Sequence, residues 1–177
     1  MFEDFYSTFA TLSLTVTGLW MFIATVRFRE WTAARDPVRQ ASAVSVQLAI
    51  PGLMCLFALI DADSELLWRA AFGVASVLAA VLLLLLQRTS PRRWPVANSV
   101  GNWLAALLFA CIALVAASPE IVDELGVGMV PRNVEFFLFC LLLTDGLVVG
   151  WLMLFAEVHD APGDDRQAAG SSTVSTS

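Results

Sequence analysis

The sequence predicts an all-α integral membrane protein, a bundle of five transmembrane helices, and three observations carry that prediction. Hydrophobic residues make up 58% of the 177-residue chain and charged residues only 15%, against the roughly 45–50% apolar content of a soluble domain. The apolar residues come in unbroken blocks, such as AAFGVASVLAAVLLLLL from Ala70 to Leu86, rather than in short periodic runs. The segments joining the blocks are short. At about 20 residues per span, the helices fall near 5–27, 41–60, 66–87, 97–118 and 134–156. Residues 1–161 make one transmembrane domain. Residues 162–177, PGDDRQAAGSSTVSTS, have almost nothing to bury and read as a disordered cytoplasmic tail.

The first span follows Glu3 and Asp4, where a cleavable signal would carry basic residues, so it is expected to stay in the mature protein. Thr8, Thr11, Thr15, Gly18 and Thr25, with Phe22, form one small, weakly polar seam that is expected to face protein. The following stretch, RFREWTAARDPVRQ, continues this helix into the headgroup layer until Pro37 ends it.

In the second span Pro51 removes one amide hydrogen bond and frees the carbonyl of Gln47, so a kink is expected at Pro51 and Gly52. Gln47 should point inward, where its amide meets a polar group on another helix. The third span is the charge-free block from Ala70 to Leu86, with Arg69 just before it. In the fourth span Asn98 and Asn102 share a face at i, i+4 spacing and read as structural glue, with Asn98 a candidate cap.

The fifth span holds the most informative residue. Asp145 sits at the centre of FFLFCLLLTDGLVVGWLMLF, near the bilayer midplane, where a carboxylate costs about 2.5–3.5 kcal/mol on insertion scales. It must face the bundle and be either neutral or partnered. Thr144, Gln47, Thr15 and Thr17 are the candidate neighbours at that depth, and no basic residue is. The site reads as a proton, cation or polar-substrate site, or as an acid used only for helix association. Gly146 and Gly150 form a GxxxG pattern that lets another backbone approach, within the chain or in a second copy. Glu135 and Arg69 lie near the outer ends of their spans and are expected to pair there. Glu157 and His159 fall past the inner end and receive no catalytic role.

Orientation follows from arginine, because positive short loops stay cytoplasmic. Arg27, Arg29, Arg35, Arg39, Arg88, Arg92, Arg93 and Arg166 fall on one side; Arg69 and Arg132 fall on the other. The N-terminus is therefore expected outside and the C-terminus in the cytoplasm. Acidic residues at Asp61, Asp63, Glu65, Glu120, Asp123 and Glu124 occupy the arginine-poor side. Tyr6 and Trp68 suit outer headgroups, and Trp31 and Trp94 inner ones. Arginine without any lysine points to a GC-rich bacterial genome, hence to a bacterial inner membrane.

Cys55, Cys111 and Cys140 lie within apolar runs, without paired spacing, and read as packing residues. The chain lacks the H-E-x-x-H, G-x-S-x-G and Walker patterns, and Asp145 has no second midplane acid to form a dyad. No enzyme activity, cofactor or metal is expected. A net charge of -6 argues against a nucleic-acid partner; the expected partners are the lipid bilayer and a homo-oligomer or another membrane protein. Two function classes remain: a small channel or transporter-like protein using Asp145, and a non-transporting scaffold or accessory subunit in which the polar residues only support packing.

Overall fold

A computed structural model describes residues 2–31, 35–60, 65–88, 96–120 and 130–159. The tail at 162–177, Asp61, Asp63, Trp94, Asp123 and Glu124 lie outside the described residues, as do the side chains of Trp31, Glu157 and His159. Five helices make up the architecture: α1 Phe2–Trp31, α2 Arg35–Ile60, α3 Glu65–Arg88, α4 Val96–Ala117 and α5 Pro131–His159. Each contains a stretch long and apolar enough to cross a bilayer, which suggests a membrane location.

The helices run past the apolar blocks because charged ends suit them. Glu3 and Asp4 occupy the first turn of α1, where the helix dipole favours negative charge, and Arg88 closes α3. Pro37 does not end α1, which stops at Trp31; it falls in the first turn of α2 instead, where a missing N–H breaks no helical bond. Pro131 opens α5 in the same way. The helix α4 starts at Val96, so Asn98 lies inside it rather than at its cap.

Antiparallel contacts fix the arrangement. Helices α2, α3, α4 and α5 form a ring in which each touches the next and α5 touches α2, while α1 packs along α2. Ring contacts between Tyr6 and Phe136 (5.2 Å) and between Tyr6 and Phe72 (6.2 Å) bring the starts of α1, α3 and α5 together. We call this end arginine-poor and the opposite end, near Arg27, Arg39 and Arg88, arginine-rich. The arginine-poor half of the core is aromatic, with Tyr6, Phe9, Trp68, Phe72 and Phe139 all buried. Tyr6 and Trp68 thus belong to the protein interior rather than to a lipid-facing belt.

The face of α1 that packs inward carries Tyr6, Phe9, Ala10, Ser13 and Trp20. The threonine seam is turned the other way. Thr8, Thr11, Thr15, Phe22 and Thr25 are exposed, and nothing lies within 4 Å of where a Cβ on Gly18 would be. Within the chain, therefore, Thr8, Thr11 and Gly18 make no helix contact. The physical reason is local: Thr11, Thr15 and Thr25 each donate to the carbonyl four residues earlier, at 2.7–2.8 Å, so their hydroxyls require no second helix.

Pro51 and Gly52 are buried inside a continuous α2. A Cβ on Gly52 would lie 2.7 Å from Ser13 Oγ, so glycine is what lets α1 approach. The Ser13 hydroxyl then donates to the carbonyl of Leu48, one residue beyond the carbonyl that proline frees. Ser13→Ala should cost about 0.6–1.7 kcal/mol, between the average and the largest value from double-mutant cycles on interhelical hydrogen bonds in a membrane protein. Unfolding by steric trapping in bilayers checks it; an unchanged stability would remove Ser13 as the clasp between α1 and α2.

Candidate functional site

Toward the arginine-rich end, polar side chains replace aromatic ones in the core. Gln40, Gln47, Asn98 and Asn102 are all buried. Gln47 Nε2 on α2 donates to Asn102 Oδ1 on α4 at 3.1 Å, and Asn102 Nδ2 donates to Gln87 Oε1 on α3 at 3.3 Å. Gln87 Nε2 in turn donates to Ser99 Oγ at 2.5 Å. One chain of amides therefore ties three helices of the ring together.

The fourth, α5, brings Asp145 to this cluster. Its side chain is half-buried, and a Cβ built on Gly101 of α4 would lie 3.5 Å from Oδ1. The other oxygen, Oδ2, is buried without a hydrogen-bond partner. The next residue, Gly146, packs on Gln47, with 3.4 Å from its would-be Cβ to Gln47 Oε1; that oxygen also lacks a partner. Gly101 and Gly146 are the openings through which α4 and α2 approach the acid-bearing helix. Gly150 continues the same contact against Trp20 and Val44, so both glycines of the GxxxG pattern serve packing within the chain.

Of the five residues expected at this site, the structure gathers two, Asp145 and Gln47, while Thr17 donates to the carbonyl of Ser13 on its own helix (2.7 Å). Thr144 and Thr15 are exposed and donate to the carbonyls of Cys140 (2.8 Å) and Thr11 (2.7 Å). Adjacency in sequence does not help Thr144, because consecutive helical residues point about 100° apart. Gln87, Ser99 and Gly101 complete the site. Their available sequence signal is position: Ser99 and Gly101 lie between Asn98 and Asn102, and Gln87 is the single amide of α3.

A second buried acid occupies the opposite end. Glu135 is fully buried, and its Oε2 accepts a 2.9 Å hydrogen bond from Trp68 Nε1. Arg69, its expected partner, is directed elsewhere: its Nε and Nη2 donate to the carbonyls of Ala116 (3.0 Å) and Ala117 (2.7 Å). The open C-terminal turn of α4 supplies free carbonyls, and the guanidinium takes them instead of the carboxylate. Arg132 lies over the Trp68 ring, 5.3 Å from its centroid, within cation–π range.

No protein-family model, curated protein or solved structure matches this chain.

Proposed function

We propose that the chain is a small channel or transporter-like membrane protein whose ion or proton site is Asp145, with Gln47 and the Asn102–Gln87–Ser99 chain as its polar wall. One observation carries the reading: Asp145 Oδ2 and Gln47 Oε1 are both buried without a donor, on side chains that flank Gly146. An acid kept only to hold helices together gains by pairing its oxygens, because an unsatisfied buried acceptor costs about 1–3 kcal/mol. Two such acceptors, one of them on a half-buried carboxyl, suit a site that takes up and releases a cation or proton. Acid–base catalysis between two carboxyls has little support, since Glu135 lies ten residues, about 15 Å, along the same helix.

A second reading, a non-transporting scaffold or accessory subunit, draws support from the amide chain, which by itself closes α2, α3 and α4 into a tight group. Reconstitution into liposomes separates the two. Wild-type protein should carry proton or cation flux, and Asp145→Asn should lower it about a hundredfold, as expected when a positioned proton-transfer group is lost. Flux that is absent, or indifferent to this substitution, leaves the scaffold reading.

A further inference from the structure

Two open-sided apolar grooves on the bundle differ in one respect. The groove between α1 and α5, over Leu48, Gly146 and Gly150, is lined by apolar residues alone. The groove between α3 and α4 holds about 530 Å³ and has a charged residue, Arg69, in its wall. Small residues create it. Ala70 and Gly73 of α3 and Ala113 and Ala117 of α4 line it, and nothing lies within 4 Å of where a Cβ on Gly73 would be. Helix α3 starts and α4 ends at the arginine-poor end, so Arg69 stands toward the mouth and Leu78 at the far end. The two are nine residues apart, about 14 Å along the helix. Beyond Leu78 the same face of α3 continues with the exposed, bulky Leu82 and Leu85, which are no longer part of the groove.

We propose that this groove is a phosphatidylethanolamine site, with the lipid phosphate on Arg69 and one acyl chain lying along Gly73 to Leu78. Length argues for a lipid. The groove spans about one leaflet, which is half of the roughly 30 Å hydrocarbon core, whereas a helix of a second copy would need a seat along the whole core. Charge argues for the head. Arg69 Nε and Nη2 donate to the carbonyls of Ala116 and Ala117, and both of these residues line the groove. Neutral carbonyls hold the guanidinium in place without cancelling its charge, and a fixed guanidinium matches the geometry of a phosphate. The same end is also acidic: Glu120 is exposed three residues past Ala117, and Glu65 directly precedes Leu66 in sequence. A head that suits both signs carries an ammonium beside its phosphate. A primary ammonium has three N–H donors for a carboxylate; the quaternary ammonium of phosphatidylcholine has none, and phosphatidylglycerol has no cation.

The two parts of the lipid do different things. A chain in the groove gains little over a chain in the bilayer, because lipid tails are as apolar as the side chains around them. Selectivity therefore comes from the head, through charge-assisted hydrogen bonds, and the groove decides only whether a chain can enter. The site lies apart from Asp145, which approaches α4 at Gly101, about 18 Å along that helix from Ala113. Lipid retention and ion flux are thus separate readouts, and the lipid site does not depend on the transport reading.

The test uses the full chain in nanodiscs of equal parts phosphatidylethanolamine, phosphatidylcholine and phosphatidylglycerol, with native mass spectrometry to count the lipids that stay bound. Wild type should retain one phosphatidylethanolamine about tenfold over either competitor, as one charge-assisted hydrogen bond provides. Arg69→Gln should lower that retention by about tenfold. Because Arg69 also holds the end of α4, two gentler variants accompany it. Gly73→Leu fills open space, so it should fold as wild type does and yet lose the bound lipid, while Gly18→Leu, equally open and far from the groove, should keep it. Glu120→Gln should keep a bound phospholipid but lose the preference for phosphatidylethanolamine. Equal retention of the three lipids by wild type, a preference for phosphatidylglycerol, or undiminished retention in Gly73→Leu overturns the site. A change of oligomeric state in Gly73→Leu would assign the groove to a second copy and overturn it too.

Discussion

Gly146→Leu should destabilise the bundle by about 1–3 kcal/mol, the usual cost of overpacking a filled interior. A Cβ at Gly146 would already lie 2.9 Å from Leu48 Cδ2 and 3.2 Å from Gln47 Cβ. Neither neighbour can yield cheaply, because Leu48 is fully buried and Gln47 is held by Asn102. The added side chain must push α5 away from α2 at the contact between Gly146 and Gln47, next to Asp145. Gly18→Leu is the matched control: its position has open space, so the same change should stay within about 0.5 kcal/mol of wild type. Steric-trap unfolding of both variants decides the matter. Equal losses at the two glycines would mean that α1 packs through its threonine face after all.

This contrast shows what the sequence reveals and what it hides. The five helices are legible because a bilayer-length apolar block has few alternative explanations. Their ends are less so, since Glu3, Arg88 and Pro37 continue helices at the edges, where hydropathy alone reports a stop. The packing face of α1 is harder still. Two seams with helical spacing compete there: Thr8–Thr11–Thr15–Gly18 and Tyr6–Phe9–Ser13–Trp20. Small, polar residues favour the first by the usual rule for membrane helices, yet threonine satisfies its own hydroxyl and leaves the aromatic seam to pack. Asp145 and Gln47 stand out because polar atoms amid an apolar block are costly. The Arg69–Glu135 pair fails because opposite charge is only one bidder for a guanidinium; free helix carbonyls are another, and no sequence pattern marks them across 47 residues.

Asn102→Leu is expected to cost about 2–4 kcal/mol, more than any other single amide in the cluster. Asn102 accepts from Gln47 and donates to Gln87, so its loss strands a donor and an acceptor at once, each worth about 1–3 kcal/mol when buried. Removing all three amides together, as Gln47→Leu, Asn102→Leu and Gln87→Leu, should restore most of that stability, because apolar replacement of every partner leaves nothing unsatisfied. Ser99 would then turn to its own backbone, as helical serines do. Stability of the triple variant in bilayers tests the energetic claim, and a triple variant weaker than Asn102→Leu would refute it. The same protein separates the two functional readings. A scaffold keeps its helices together with leucines in place of amides and loses nothing. A proton or cation path loses its polar wall beside Asp145, so a stable triple variant should have lost its flux.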